Sequence, residues 1–450
     1  MPTVKQILTG LCALATFSAT GLASIRPNVV LIYIDNVGYG DIGCYGNPVI
    51  RTPRIDRLAM EGVRCTDFYI VTSTCTPSRG ALLTGRYPLR NGLTHQLGRD
   101  ENWTGVGLPH SERILPQFLK RAGYATGCFG KWNIGFAKGS RPTDRGFDEF
   151  LGCRSGNIDF YTHVYNGQED MYRGTEPVNI EGYSTDLFAD AACDFIRRHR
   201  DQPFLAYVPF NAAHVPNPKN KAPGVRTKWQ APAKYFEAYG YAADSVDPNE
   251  GYHAVMTALD DGIGRIVDQV DALGMRENTI IIIASDNGAS IREDLVMETG
   301  TNAPFRGGRT QTYEGGIRTA CIVRWPRQLQ AGTVCREPIA NIDLTPTLLL
   351  AAGLQSPDNL ELDGRDVAAT LAGSKPSPHK YLFFEFRKWS AARSGRWKIV
   401  RSRPNTAFEL YDLAADHGET RNLADDSPEI VKRMTKAFED WRSQFPKESR

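Results

Sequence analysis

This sequence has almost no net charge, few long apolar runs and no cysteines at metal-binding spacing. Its 53 lysines and arginines nearly balance 51 aspartates and glutamates. The resulting formal charge of +2 gives no indication of a nucleic-acid partner. The nine cysteines include no C-x-x-C pair, so a structural zinc site is not expected.

No internal repeat is evident. The 450 residues suffice for one large domain plus a smaller one.

An apolar stretch near the start of the chain is typical of a secretory signal. Ile7 to Phe17 follows the positive charge of Lys5 and precedes the small residues around Ala23. We therefore predict a signal peptide over residues 1–23 and an exported protein, either periplasmic or secreted. The stretch is too short and too interrupted to span a bilayer, and no later run is long and apolar enough.

Two apolar, β-branched segments each end in an Asp-Asn pair. Asn28 to Ile34 precedes Asp35-Asn36, and Asn278 to Ala284 leads through Ser285 to Asp286-Asn287. Continuous apolar runs of this length are typical of strands buried on both faces. Ligands of open α/β sheets bind beyond the carboxyl ends of the strands. The sequence therefore predicts one shared site with oxygen ligands.

The order of the remaining segments predicts an α/β fold. A third apolar strand, Phe204 to Phe210, leads to His214, and helical patterns cover Leu115 to Ala122 and Thr185 to Arg198. We expect a large, mostly parallel sheet sandwiched by helices over residues 24–370. Short β-prone segments and a charged terminal helix predict a smaller C-terminal antiparallel sheet with a packed helix over residues 371–450.

The most informative segment is Cys75 to Arg86, which reads CTPSRGALLTGR. Thr76 is predicted as an N-cap, Pro77 as the first helical residue and Gly85 as the helix end. Cys75 would then lie just before the N-terminus of a short helix, where free N–H groups favour anions. Arg79, one turn into the helix, has a guanidinium group suited to a tetrahedral oxyanion.

The pattern C-x-P-S-R-x-x-L-x-T-G-R resembles the signature of type I sulfatases, in the alkaline phosphatase superfamily. The resemblance spans nearly the whole mature chain, and its other landmarks include Gly130-Lys131-Trp132, His214-Val215-Pro216, Ser285-Asp286-Asn287-Gly288 and Glu314-Gly315-Gly316. It implies that a formylglycine-generating maturation enzyme converts Cys75 to formylglycine, whose hydrate is the nucleophile. Seven other cysteines remain in the mature chain, an odd number, and their pairing cannot be derived from spacing.

The resemblance also implies the roles of the surrounding residues. The implied ligands of a divalent cation are Asp35, Asn36, Cys75, Asp286 and Asn287. Oxygen donors of this kind suit Ca²⁺ better than Mg²⁺. Arg79 and Lys131 would contact the nucleophile and the sulfate, and His214 would protonate the leaving group.

Three positions depart from the family pattern. Asn36 stands where the family has a second Asp, so one negative charge is lost at the metal site. Asn133 replaces a histidine, and an amide cannot take a proton near pH 7. Arg309 replaces a lysine and is a poor proton donor, although it can still bind sulfate. Proton transfer to the leaving group would therefore depend mainly on His214.

The function implied is hydrolysis of a sulfate ester, with a sulfated carbohydrate or an aryl sulfate as substrate. A phosphomonoester or phosphonate hydrolase of the same superfamily is the first alternative. The substitutions at Asn36, Asn133 and Arg309 raise a second one, an impaired homologue that binds sulfated ligands. Retention of Cys75, Pro77 and Arg79 argues against the second alternative, because a protein without catalysis would not need the maturation sequence.

Overall fold

The computed structural model describes residues 26–216, 229–291, 299–355 and 360–446. The predicted signal peptide, residues 1–23, lies outside the described residues. The described chain forms a large mixed sheet with helices on both faces and a small antiparallel sheet near its C-terminal end. The predicted α/β class and the smaller C-terminal sheet are confirmed.

The large sheet is mostly parallel at its centre. In the described residues it has eleven strands in the order β12-β2-β11-β10-β1-β9-β3-β4-β7-β8, with β13 also paired to β2. Strands β10, β1, β9, β3 and β4 run parallel, whereas β11 is antiparallel to both of its neighbours. The bounds of the sheet and of the separate hairpin β5–β6 are β1 Asn28–Ile34, β2 Val63–Tyr69, β3 Ala125–Lys131, β4 Glu149–Cys153, β5 Val164–Tyr165, β6 Gln168–Glu169, β7 Tyr172–Arg173, β8 Glu176–Pro177, β9 Phe204–Pro209, β10 Thr279–Ser285, β11 Arg318–Arg324, β12 Thr333–Cys335 and β13 Ile339–Ala340.

The helices surround this sheet and cover both of its faces. Their bounds are α1 Pro53–Glu61, α2 Cys75–Thr84, α3 Pro88–Asn91, α4 Arg99–Thr104, α5 Leu115–Arg121, α6 Ser184–Arg198, α7 Ala233–Glu237, α8 Pro248–Ala272, α9 Glu314–Ile317, α10 Leu344–Ala351, α11 Ala368–Leu371 and α12 Pro428–Arg442. Among the described residues, none of the helices is long and apolar enough to cross a membrane.

Alternate residues of β1 belong to two different apolar clusters. Leu31 packs with α2, α5 and α10 on one face of the sheet. Ile32 packs with α1, α6 and α8 on the other face. Every residue of β1 and of β10 is buried. This burial on both faces explains why the sequences of both strands are continuous apolar runs.

The C-terminal sheet is antiparallel and packs on the face that also carries α2. Its strands are β14 Leu382–Phe386, β15 Trp389–Ser394, β16 Trp397–Arg401 and β17 Glu409–Asp412. Helix α12 buries Met434, Phe438 and Trp441 in the same cluster as Phe384 and Leu82. One apolar cluster thus includes residues from both sides of the division predicted between residues 370 and 371.

The cysteines of the described residues are all free thiols. They number eight, in agreement with the count left after Cys12. Cys65 of β2 lies opposite Cys321 of β11 and Cys335 of β12, with no disulfide between them.

Candidate active site

The two Asp-Asn pairs meet at one edge of the sheet, as predicted. Strands β1 and β10 are parallel neighbours with Ile34 opposite Ser285. The two Asp-Asn pairs therefore follow the ends of adjacent strands and lie side by side. The Asn36 backbone N–H donates to Asp286 Oδ1 at 3.1 Å, and Asn287 Nδ2 donates to Asn36 Oδ1 at 2.6 Å. Asn36 has a φ of 59°, a left-handed conformation that Asn tolerates. All four side chains are buried.

Helix α2 begins two residues earlier than predicted. Cys75 is its first residue, Thr74 occupies the N-cap position, and the Ser78 N–H donates to the Thr74 carbonyl at 3.1 Å. Thr76 is the second residue of the helix rather than its cap, and its backbone N–H donates to Gln96 Oε1 at 3.2 Å. Gly85 ends the helix with a φ of 68° and an N–H bond to Ala81, as predicted. Cys75 therefore lies within the first turn.

The Cys75 side chain points at the strand-end residues. Its Sγ lies 3.6 Å from Asp35 Oδ1, 3.8 Å from Asn36 Oδ1 and 3.8 Å from an Arg309 guanidinium nitrogen. One ligand atom from each of Asp35, Cys75 and Asp286 lies within 4.8 Å of the other two. Burial raises the pKa of the Cys75 thiol, and the positive charge of Lys131 only partly offsets that effect. The unmodified thiol is thus protonated at neutral pH and is a weak nucleophile.

Two buried cations balance the two carboxylates. Lys131 Nζ lies 2.5 Å from Asp35 Oδ2, and Arg79 Nη2 lies 2.7 Å from Asp286 Oδ2. Arg79 also donates to the Lys131 carbonyl at 3.2 Å. Burial lowers the pKa of Lys131, but the combined attraction of Asp35, Cys75 and Asp286 outweighs burial, and the net shift is upward. Burial and the charge of Asp35 raise the pKa of Asp286 against the opposing effect of Arg79.

His214 is the histidine of the site, and the positive charges of Lys131 and Arg309 disfavour its protonated form. His214 is half-buried, and its Nδ1 lies 2.8 Å from the Val215 carbonyl, so Nδ1–H donates and Nε2 carries the lone pair. Burial, together with the charges of Lys131 and Arg309, lowers the pKa of His214 to about 3. A histidine that protonates a leaving group must therefore gain its proton as an anionic substrate binds.

Asn133 has a buried amide with no hydrogen-bond partner among the described residues. Both Oδ1 and Nδ2 are unpaired, and φ is 58°. Asn133 follows Lys131 at the end of β3, next to the strand that delivers His214. A buried polar side chain without a partner is costly, and a bound ligand is one way to satisfy it.

Comparisons with known proteins agree with this arrangement. A family model described as Sulfatase matches residues 27–354, which is most of the chain. The chain belongs to the sulfatase family. A second model, described as N-sulphoglucosamine sulphohydrolase, C-terminal, matches residues 308–444. By its family, the protein is a sulfuric ester hydrolase.

Individual relatives of this sulfatase cover nearly all of its length. N-acetylgalactosamine-6-sulfatase of Rattus norvegicus is 33% identical over 434 residues, which covers 91% of this chain and 79% of the relative. Arylsulfatase A of Homo sapiens is 32% identical over 486 residues, with 92% and 88% covered. The crystal structure of Ps i-CgsB superposes with a TM-score of 0.83 at 28% identity and covers 94% of both chains.

The strand-end residues of this sulfatase fit a divalent cation. Asp35, Asn36, Asp286 and Asn287 present carboxylate and amide oxygens, the donors that Ca²⁺ and Mg²⁺ prefer. Asn287 Oδ1 is buried and has no hydrogen-bond partner among the described residues, so it is free to act as a ligand. The donor set therefore suits a hard cation better than a transition metal.

Sequence reasoning missed several residues that support the site. Gln96 contacts the N-terminal turn of α2 through Thr74 and Thr76. A Cβ added to Gly156 would lie 2.7 Å from Lys131 Nζ. Neither residue belongs to a recognisable sequence motif. Each contributes through a contact with a segment more than 20 residues away in the chain.

Proposed function

We propose that this sulfatase hydrolyses the sulfate ester of a carbohydrate or an aryl sulfate through a formylglycine derived from Cys75. The observation that carries the proposal is the position of Cys75 Sγ, in the first turn of α2 and 3.6 Å from Asp35 Oδ1. A group at this position lies next to the strand-end oxygens of Asp35 and Asn36 and 3.8 Å from the Arg309 guanidinium group.

The state of the thiol supports conversion. A buried thiol with a raised pKa is poorly suited to attack sulfur directly. Formylglycine, once hydrated, supplies an oxygen nucleophile at the same place. Its formation requires a maturation enzyme. The CTPSRGALLTGR segment resembles the sequence that this enzyme recognises.

We assign the cation site to Asp35, Asn36, Asp286 and Asn287, with the side chain at position 75 as a further ligand. Ca²⁺ is the proposed ion, because the donors are all oxygens once the thiol is replaced. A bound cation supplies positive charge that attracts the sulfate oxygens. Arg79 holds Asp286 at 2.7 Å and so fixes the orientation of that carboxylate.

The remaining polar residues would bind the sulfate and move the proton. Lys131 and Arg309 supply positive charge next to position 75, and Asn133 offers an unpaired amide for hydrogen bonds. His214 would give its proton to the leaving oxygen. Hydrogen-bond donors and cations arranged before the substrate arrives stabilise the charge that develops during the reaction.

The proposed substrate is a sulfated glycan met outside the cytoplasm. One relative is named for a sulfated sugar, and the Ps i-CgsB protein was also crystallised with k-i-k-neocarrahexaose. The predicted signal peptide over residues 1–23 supports export.

The mass of the peptide that carries Cys75, from protein purified from its native source, tests the nucleophile. We expect an aldehyde in place of the thiol and release of inorganic sulfate from nitrophenyl sulfate, with no release by Cys75→Ala. An unmodified thiol in an active enzyme would contradict the formylglycine mechanism. Faster hydrolysis of nitrophenyl phosphate would favour the phosphoester alternative.

The role of His214 is tested by the leaving group. His214→Ala should abolish turnover of unactivated sulfate esters and reduce that of activated aryl sulfates less, since a good leaving group needs no proton. Rates on an alkyl or sugar sulfate and on nitrophenyl sulfate measure the difference. Equal losses on both substrates would argue against proton donation by this residue.

A further inference from the structure

The segment after β4 covers Lys131 and Asn133. The pairing of β3 with β4 continues past the strand ends, where the Trp132 N–H donates to the Cys153 carbonyl and the Asn133 N–H to the Arg154 carbonyl, both at 2.9 Å. Two residues further on, Gly156 lies against the Lys131 side chain. The backbone position of Asn133 thus depends on the segment that begins at Arg154.

Gly156 leaves the room that the Lys131 side chain occupies. A Cβ at this position would lie 2.7 Å from Lys131 Nζ, 2.8 Å from Lys131 Cε and 3.6 Å from Asn133 Nδ2. Gly156 does not have a left-handed φ, so an alanine meets no backbone strain. The atoms in the way are the far end of a flexible side chain, so the lysine rather than the fold would move.

The Asp170 carboxylate holds the same segment through hydrogen bonds. Its Oδ1 accepts from Arg154 Nε at 2.7 Å, and its Oδ2 accepts from the Ser155 N–H at 3.0 Å and from the Ser155 hydroxyl. Asp170 is fully buried, and its N–H donates to the His163 carbonyl at 3.0 Å. One carboxylate therefore fixes both a side chain and the backbone directly before Gly156.

Aromatic rings hold the same guanidinium group of Arg154 from its faces. Its guanidinium carbon lies 4.4 Å from the centre of the Trp103 ring and 4.5 Å from that of Tyr172. Such cation–π contacts add to the ion pair and restrict the arginine to one place. The rigid part of the segment is thus Arg154 and Ser155, and the part that faces the site is Gly156.

We propose that Asp170 is a positioning residue for the sulfatase reaction, which acts through Arg154, Ser155 and Gly156 to hold Lys131 and Asn133 in place. Asp170 itself makes no contact with Cys75 or with the cation-site residues in the described structure. The inference rests on the proposed function, in which Lys131 and Asn133 contact the sulfate. Small displacements of such groups cost large factors in rate.

Gly156→Ala in the full-length mature enzyme tests the space around Lys131. We expect ~100-fold loss of kcat/KM on nitrophenyl sulfate, because a displaced lysine no longer fits the sulfate. Affinity for inorganic sulfate, measured by calorimetry, should fall as well, while the midpoint of thermal unfolding stays nearly unchanged. Gly264→Ala on helix α8 is the control for an added Cβ beside a basic side chain away from the site: its Cβ would lie 2.6 Å from Arg54 Cγ, so it should keep kcat/KM even if it loses stability.

Asp170→Asn tests the support itself. An amide has one acceptor oxygen, so it loses either Arg154 or Ser155. Asp260→Asn is the control, because Asp260 is also buried and accepts from the Arg54 and Ile55 N–H groups at 3.1 and 2.8 Å. Both variants should lose stability, but only Asp170→Asn should lose kcat/KM and sulfate affinity.

The outcomes separate the inference from the proposed function. Wild-type kcat/KM and sulfate affinity in folded Asp170→Asn would overturn the positioning role. If Asp170→Asn does not fold, unchanged kinetics and sulfate affinity in Gly156→Ala would overturn it instead. A wild-type enzyme that hydrolyses no sulfate ester would contradict the proposed function alone, and the calorimetric comparison would still decide whether this segment holds the anion-binding groups.

Discussion

Asn36 is the residue at which the cation site is weakest in charge. Its amide oxygen lies 3.8 Å from Cys75 Sγ and accepts a hydrogen bond from Asn287 at 2.6 Å, so the geometry of an oxygen ligand is kept. What the amide lacks is the negative charge of a carboxylate. A divalent cation here would meet Asp35 and Asp286 as its only two anionic side chains among the four strand-end residues.

Asn36→Asp should tighten Ca²⁺ binding by at least about tenfold, since an added charge at ligand distance contributes more than 1.4 kcal/mol at protein dielectric values. Asp tolerates the left-handed φ of this position as Asn does, so the fold should be unchanged. Calorimetric titration with Ca²⁺ measures the effect. Asn405→Asp is the control, because Asn405 also has a positive φ, 67°, but is exposed and lies in the C-terminal sheet region. Equal or weaker Ca²⁺ binding by Asn36→Asp would show that this side chain is not a ligand.

Individual residues were predictable from the sequence where a motif names them. Asp35, Asn36, Cys75, Asp286 and Asn287 come together as expected, since each stands at the end of a recognisable strand or the start of a helix. Asp170 and Gly156 were not predicted. The role proposed for them depends on contacts with Arg154 and Lys131, and no local pattern reveals such contacts.

At the level of elements, long and strongly patterned segments were predicted well. Strand β1 was predicted without error, and β10 and α6 within one residue at each end. Strand β15, Trp389–Ser394, was missed because its sequence WSAARS has neither an apolar run nor a clean alternation. Its stability comes from pairing with β14 and β16 on both sides.

The start of α2 shows why caps are hard to predict from sequence alone. Four threonines or serines lie around the helix start, namely Thr72, Ser73, Thr74 and Thr76, and all are residue types favoured as N-caps. The choice is made by Gln96, twenty residues further along the chain, which accepts the Thr76 N–H. A side chain from another segment thus replaces the local cap and moves the helix start to Cys75.

Across the whole molecule, buried charges join the large sheet to the C-terminal sheet. Lys398 of β16 lies 2.8 Å from both Glu314 and Glu419, and all three side chains are fully buried. Arg318 of β11 lies 3.2 Å from Glu314. Burial alone would raise the pKa of Glu314, but Lys398 and the neighbouring arginines lower it, so the carboxylate is charged. We propose that residues 371–450 form a subdomain that depends on this junction rather than an independent domain.

Lys398→Met should destabilise the protein by ~3–5 kcal/mol, because it leaves the buried Glu419 without the cation it pairs with and Glu314 with Arg318 alone. Lys436→Met is the control, as Lys436 is exposed and pairs with Asp440 at 2.8 Å on the surface of α12. It should leave the free energy of unfolding nearly unchanged, because solvent screens an exposed ion pair. Urea unfolding measures both. Similar losses in the two variants would mean that the junction contributes no more than a surface ion pair.

The burial of β1 on both faces ties the geometry of the site to the stability of the large sheet. Its amide protons can exchange with solvent only when both apolar clusters open, which amounts to opening the large sheet. Asp35 and Asn36 sit directly on the end of that strand. Loss of their geometry and loss of the native state are then a single event, so on heating these two side chains should keep their positions for as long as the large sheet stays folded.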